Sequence, residues 1–140
     1  MCIGCKLANK EFKTYTIYET ETLHVFLDLY PYNYGHLLIL PKEHYESLDD
    51  LPHSLACEIM LLSQKLKKTL MSAYNCDDLI IVQNNGSINS LKHYHMHLIP
   101  HYQGQDLSTL YDTTAYQDND EVHLLKSQEL IVQQLQNYIP

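Results

Sequence analysis

Three histidines at every second position, in His93-Tyr94-His95-Met96-His97-Leu98-Ile99-Pro100, are the residues of this chain whose type and spacing could do chemistry. In an extended segment alternation sends His93, His95 and His97 to one face and leaves Tyr94, Met96 and Leu98 to pack on the other. An imidazole can attack as a nucleophile, hand on a proton or ligate a metal, so such a row serves covalent catalysis, acid–base catalysis or a zinc site. Three rings buried together for packing alone would each need a hydrogen-bond partner, which disfavours an incidental origin. Cys2 and Cys5 stand at C-x-x-C spacing near the start and form a second candidate pair, for metal or redox chemistry.

These side chains need a scaffold. Thr14–Tyr18 and Leu23–Leu27 are β-rich runs separated by polar residues, and His36–Leu40 is a short apolar run closed by Pro41; together they predict an antiparallel meander. A helix is expected from Asp49 or Asp50 to Tyr74, with Pro52 in its first turn and Leu55, Ile59, Leu62, Leu66 and Leu70 on its core face. Leu79–Val82 reads as a buried strand, Asn84–Ser90 as a loop, and Lys92–Ile99 as the strand carrying the histidines. A polar tract, Tyr111 to Asp120, precedes a second helix over Leu124–Asn137. The fold class is α+β: an antiparallel sheet of about five strands, a packed central helix and a C-terminal helix. No repeat or linker divides residues 1–140, which read as one domain with 110–140 as a C-terminal appendage.

With 140 residues the chain can bury a core without disulfides. Its net charge of -8, with only 9 basic side chains, argues against a nucleic-acid partner held through phosphates. A single phosphorylated small molecule stays open, because backbone N–H groups and histidines can bind one phosphate. No apolar run reaches the roughly 18 residues of a membrane span, and Met1 to Lys6 lacks a signal peptide's hydrophobic stretch, so a cytoplasmic protein with reduced thiols is expected. Cys57 and Cys76 read as buried fillers.

The histidine row, followed by apolar residues, resembles the signature of the histidine triad family of nucleotide hydrolases and transferases. Phe26-Leu27-Asp28, Gly35-His36-Leu37-Leu38-Ile39-Leu40-Pro41-Lys42-Glu43-His44 and Gln83-Asn84-Asn85-Gly86 resemble other family segments in the same order, over about residues 1 to 102. The resemblance implies a hydrolase that releases a nucleoside monophosphate, with a purine as its base, from phosphoramidates or dinucleoside polyphosphates. His95 would be the nucleophile, with His97 and His36 donating to the phosphate or leaving group. Asp28 would accept from the ribose hydroxyls, Leu29 would pack near sugar or base, and Asn84, Asn89 and Ser90 would contact the nucleotide. It also implies a structural zinc on Cys2, Cys5, His44 and His93, and a homodimer. The residues also suit two other classes: a nucleotide-binding or interaction module with reduced catalysis, and a metal-storing or metal-sensing protein suggested by 9 His and the C-x-x-C.

Departures from the family pattern fall in two places. Ile88-Asn89-Ser90 stands where a Gly-Gln-Ser or Gly-Gln-Thr stretch is usual, in a shorter loop, and His101 stands where an arginine is frequent. The 12 tyrosines, five-residue cluster Tyr30-Pro31-Tyr32-Asn33-Tyr34 included, suit half-buried packing, a base pocket or a dimer interface.

Overall fold

The computed structural model describes residues 1–116 and 120–139. Strands β1 (Thr16–Glu19), β2 (Leu23–Leu27), β3 (Leu37–Pro41), β4 (Asp78–Gln83) and β5 (Met96–His101) form one antiparallel sheet in the order β1-β2-β3-β5-β4. The expected meander is its first half. The last strand in sequence then enters between β3 and β4, which puts His97 beside Leu38 on one side and Val82 on the other.

Among the described residues three α-helices complete the fold: α1 (Ile3–Ala8), α2 (His53–Tyr74) and α3 (Glu121–Leu135). Helices α2 and α3 pack on one face of the sheet. Ile59, Leu66 and Leu70 of α2 and Ile131 and Leu135 of α3 meet Val25, Leu37, Ile39 and Leu98 there. All five residues on the expected face of α2 are buried; burying each Leu or Ile contributes about 1.5–3 kcal/mol before the entropy of ordering. Asn75 ends α2 in the left-handed conformation (φ 47, ψ 39), where asparagine is tolerated without strain.

Among the described residues the opposite face is covered at its two ends. Ala8 of α1 closes over Phe26, Leu38 and Leu40. At the other end the 3-10 turns Leu107–Tyr111 and Thr113–Ala115 bring Leu110 and Tyr116 onto Tyr32, Ile99, Ile80 and Val82. Strands β2 and β3 are therefore buried on both sides along their whole length, and between the two covers a cleft runs over His97.

Several sequence expectations are corrected here. The central helix starts at His53: Pro52 forces Leu51 into extended backbone (φ -67, ψ 133), so Leu48–Asp50 is left as a separate 3-10 turn. The histidine strand starts at Met96 because Lys92 turns left-handed (φ 51), leaving His93 and His95 ahead of the ladder. Tyr94, Met96 and Leu98 nonetheless alternate into the core as expected. Strand β4 is an edge strand with Ile81 47% exposed, where a buried strand was expected. Cys57 is exposed, whereas Cys76 is buried. Helix α3 runs Glu121–Leu135. The polar tract holds the second 3-10 turn, and its residues 117–119 lie outside the described residues. Among the described residues no helix is long and apolar enough to cross a membrane.

Candidate active site

The N-terminal cysteines and two histidines converge. Cys2 and Cys5 lie one helical turn apart at the start of α1, where Cys2 Sγ caps the helix by accepting from the Cys5 N–H at 3.1 Å. Both sulfurs stand 3.3 Å from His44 Nδ1 and 3.5 Å from His93 Nδ1. A tetrahedral zinc, with Zn–S near 2.3 Å and Zn–N near 2.0 Å, sets sulfur and nitrogen about 3.5 Å apart, so the four atoms fit such an ion. His93 is prepared for it: its Nε2–H donates to the Pro41 carbonyl at 2.7 Å, which leaves the Nδ1 lone pair facing the thiols. Burial and the neighbouring Cys2 push the Cys5 thiol up to about 11, a proton a dication would displace.

Helix α1 is seated by contacts that spacing did not announce. The Asn9 amide donates to both the Cys5 and Lys42 carbonyls at 2.9 Å, tying the helix end to the segment that carries His44. A Cβ on Gly4 would lie 2.3 Å from His93 Cβ, so the C-x-x-C turn approaches the histidine only because glycine occupies its middle. Buried His24 holds the Leu7 carbonyl through Nδ1–H at 3.1 Å and faces the Thr16 hydroxyl through Nε2 at 2.8 Å.

Of the triad, His93 thus leaves the row for the thiols, while His95 and His97 stay together with their rings T-shaped, centroids 4.9 Å apart. The His95 Nδ1–H donates to the His93 carbonyl at 2.9 Å, which fixes the proton on that nitrogen and the lone pair on Nε2. Burial lowers the affinity of His95 for a second proton.

A second set of hydrogen bonds sets the remaining tautomers. The Tyr32 N–H donates to His36 Nδ1 at 3.1 Å, so the His36 proton is on Nε2, where it donates to His97 Nδ1 at 2.8 Å. His97 consequently carries its own proton on Nε2. Burial and the neighbouring His97 and His95 hold His36 well below the usual histidine range, and burial lowers His97 to about 4. Asp28 Oδ2 lies 3.5 Å from His36 Nε2 and 4.0 Å from His97 Nδ1. Its carboxyl is pushed up to about 6 by burial, against the Tyr30 N–H that donates to Oδ1. Asp28, His36 and His97 are close enough to hold a metal, but the His36 tautomer puts a proton on the nitrogen that would have to ligate it; the cluster is a chain of donors.

Two cavities flank His97. The larger, about 330 Å³, is lined by Asp28, Leu29, Ser90, His95 and His97 and walled by apolar residues such as Phe26. The smaller, about 190 Å³, shares His97 and adds His36, Asn84, Tyr111 and Tyr116. The structure thus brings together His95, His97, His36, Asp28, Leu29 and Ser90, with Asn84 across His97 from them. It does not bring Asn89, which is fully buried and donates its amide to the Glu46 carbonyl at 2.9 Å. His101, in place of a frequent arginine, turns away to Asp78 and the Gln105 carbonyl, both at 3.1 Å. Of the clustered tyrosines, Tyr32 is core, Tyr34 stacks on His123 and Tyr30 lines the larger cavity. The Tyr32 N–H, Gly4, Tyr111 and Tyr116 were not singled out by sequence reasoning; a backbone donor and residues distant along the chain leave no motif.

Residues 9–104 match the HIT domain family. A HIT-like protein of Methanocaldococcus jannaschii is 38% identical over 128 residues, covering 87% of this chain and 95% of that protein. An adenosine 5'-monophosphoramidase of Saccharomyces cerevisiae is 36% identical over 102 residues, 71% of this chain; the match spans 61% of that enzyme's length. The crystal structure of a zinc-bound histidine triad family protein from Mycobacterium smegmatis superposes with a TM-score of 0.82 at 25% identity, covering 97% of this chain and 94% of that one. With these matches and the α+β sheet in agreement, the chain belongs to the HIT domain, or histidine triad, family.

Proposed function

We propose that the protein hydrolyses a nucleotide derivative, releasing a nucleoside monophosphate with a purine base from a phosphoramidate or a dinucleoside polyphosphate, through a nucleotidyl intermediate on His95. The observation that carries this reading is the His95 ring, which lines the 330 Å³ cavity and is tethered through Nδ1–H to the His93 carbonyl, leaving its lone pair on Nε2. A relative that is an adenosine 5'-monophosphoramidase supports the substrate class.

In the first step the bond from His95 Nε2 to phosphorus forms as the bond from phosphorus to the leaving atom breaks. The Nε2–H of His97 donates a hydrogen bond to the phosphate or leaving atom, which stabilises the charge growing there, and a proton from solvent completes the departing group. His36 keeps His97 in that tautomer through the 2.8 Å contact. Water then attacks phosphorus, the P–N bond returns its electron pair to His95, and the water's proton passes to solvent. Ionised Asp28 accepts from the ribose hydroxyls, Leu29 packs against the nucleoside, and Ser90 and Asn84 donate to the phosphate from either side of His97.

Zinc would be held by Cys2, Cys5, His44 and His93, a closed set of four that leaves no position for water. When bound it cross-links α1 to the triad segment and serves the fold. Thiolate ligands of this kind suit the reducing cytoplasm. The same reading takes residues 1–140 as one domain, with 110–140 as an appendage to the family core. It pairs two copies into a homodimer through edge strand β4, whose outer rim presents Ile81.

The test is release of a fluorescent amine from an adenosine monophosphate phosphoramidate by the intact protein and by His95→Ala at matched zinc content. A loss of at least about a thousandfold on that substitution is expected. A folded, zinc-loaded protein that turns over neither this substrate nor a dinucleoside polyphosphate would instead be a nucleotide-binding module.

A further inference from the structure

Strand β2 is buried along its whole length, and alternation divides its side chains between the two faces of the sheet. Leu23, Val25 and Leu27 join the core under α2 and α3, which leaves His24 and Phe26 on the side of α1. Phe26 suits that place by its hydrophobicity. His24 is fully buried where an aliphatic residue would pack, and an enclosed imidazole costs stability unless its nitrogens are partnered.

Both nitrogens are partnered. The Leu7 carbonyl can only accept, so Nδ1 carries the proton and donates to it at 3.1 Å, and the Thr16 hydroxyl donates to the lone pair on Nε2 at 2.8 Å. Burial favours the neutral ring that this arrangement needs. The ring is further steadied by Phe26, 4.8 Å away between centroids.

Helix α1 depends on such contacts, because six residues make a helix too short to hold itself together in water. Its two ends are held differently. Without a metal the N-terminal end has only weak S–H contacts, from Cys2 and Cys5 to His44 and His93. The C-terminal end is tied to the sheet independently of any ion. Carbonyls in a helix's last turn lack partners within the helix; at Leu7 the Lys10 N–H takes one lone pair at 3.2 Å and His24 takes the other from the sheet beneath. Lys10 also pairs with Glu19 at 2.7 Å, but its side chain is 51% exposed, so that ion pair is screened by water and salt. The buried bond from His24 meets no such competition.

We propose that His24 is a positioning residue for the zinc site: by donating to the Leu7 carbonyl it seats α1 on the sheet before the ion arrives, so that Cys2 and Cys5 already stand opposite His44 and His93. The ion then closes a set that is already ordered, and less of its binding free energy goes to ordering the chain. The proposal rests on the reading of those four residues as a zinc site and is independent of the reaction at His95.

The experiment separates the hydrogen bond from the rest of the ring. An asparagine amide stands near the place of Nδ1 and a glutamine amide near that of Nε2, so His24→Asn keeps the donor to Leu7 and His24→Gln loses it, while both remove the ring. Competition with a chromophoric chelator measures the zinc affinity of the intact chain. His24→Gln should bind zinc about tenfold more weakly than the unaltered chain, the scale on which groups that orient metal ligands act, and His24→Asn should recover most of that loss. Circular dichroism checks that both variants fold; Thr16→Val, which removes the hydroxyl and leaves the ring in place, should show a smaller loss and serves if neither does. In the zinc-stripped unaltered chain, hydrogen exchange should be slow at the Lys6 and Asn9 amides, which donate to the Cys2 and Cys5 carbonyls at 3.2 and 3.0 Å, and fast in stripped His24→Gln. An affinity untouched by His24→Gln, equal losses in the two variants, or fast exchange in the stripped unaltered chain overturns the proposal and leaves the zinc site standing. An unaltered chain that binds no zinc overturns the zinc reading and the proposal together.

Discussion

The His93 carbonyl accepts the Nδ1–H of His95 at 2.9 Å, while the ring of the same His93 faces Cys2 and Cys5. One residue thus connects the candidate metal cluster to the orientation of the proposed nucleophile. Stripping zinc, or replacing Cys5 by Ser, should lower kcat by about 10- to 100-fold, the usual effect of disturbing groups that orient a site. His95→Ala should keep its full complement of zinc, which elemental analysis would show; loss of metal in that variant would place the triad itself among the ligands.

Gly4 touches the same residue from the other side. Gly4→Ala forces a methyl to within 2.3 Å of His93 Cβ. Overpacking of this kind costs about 1–3 kcal/mol. A lower melting temperature together with weaker zinc retention is expected; wild-type values for both would show that α1 can shift without disturbing His93.

The Asp28 carboxyl titrates near 6 because burial raises it. Only the ionised form accepts from two ribose hydroxyls, so kcat/KM should fall as pH drops through about 6 and level off above it. His97, at about 4, stays neutral through that window. Asp28→Asn should weaken binding and remove the acidic limb from the pH profile. A limb that persists in the variant assigns it to another group.

In the core, Leu66 is fully buried on α2. Leu66→Ala should destabilise the fold by about 2–5 kcal/mol, through lost burial and the cavity left behind. Chemical denaturation would measure it, and a value under 1 kcal/mol would mean that the helix collapses onto the sheet.

The exposed edge of β4 tests the proposed pairing of two copies. Ile81→Lys places a charge at the centre of that rim. Sedimentation should show the wild type at twice the 16.4 kDa chain mass and the variant nearer to the single chain. An unchanged dimer would move the interface elsewhere.

Much of this was legible in the sequence, because it depends on local periodicity. Leu55, Ile59, Leu62, Leu66 and Leu70 announce one face of α2 by their spacing, and Tyr94, Met96 and Leu98 announce the buried side of the histidine row by theirs. The family segments, in order, named His36, His44, His93, His95 and His97 as the residues to watch. Other features lie beyond any local pattern, since they arise from chain segments that meet only on folding. The entry of β5 between β3 and β4 puts His36 against His97 across 61 residues of sequence. The Tyr32 N–H that sets their tautomers is a backbone group with no side-chain signature. A left-handed Lys92 takes His93 and His95 out of the strand, and the packing of α1 then turns the ring of His93 to the thiols while its carbonyl stays with His95. Residue types fixed which groups could do chemistry; the tautomers, the partners and the second cavity were decided by tertiary packing, because a hydrogen bond depends on distance in space and not on distance along the chain.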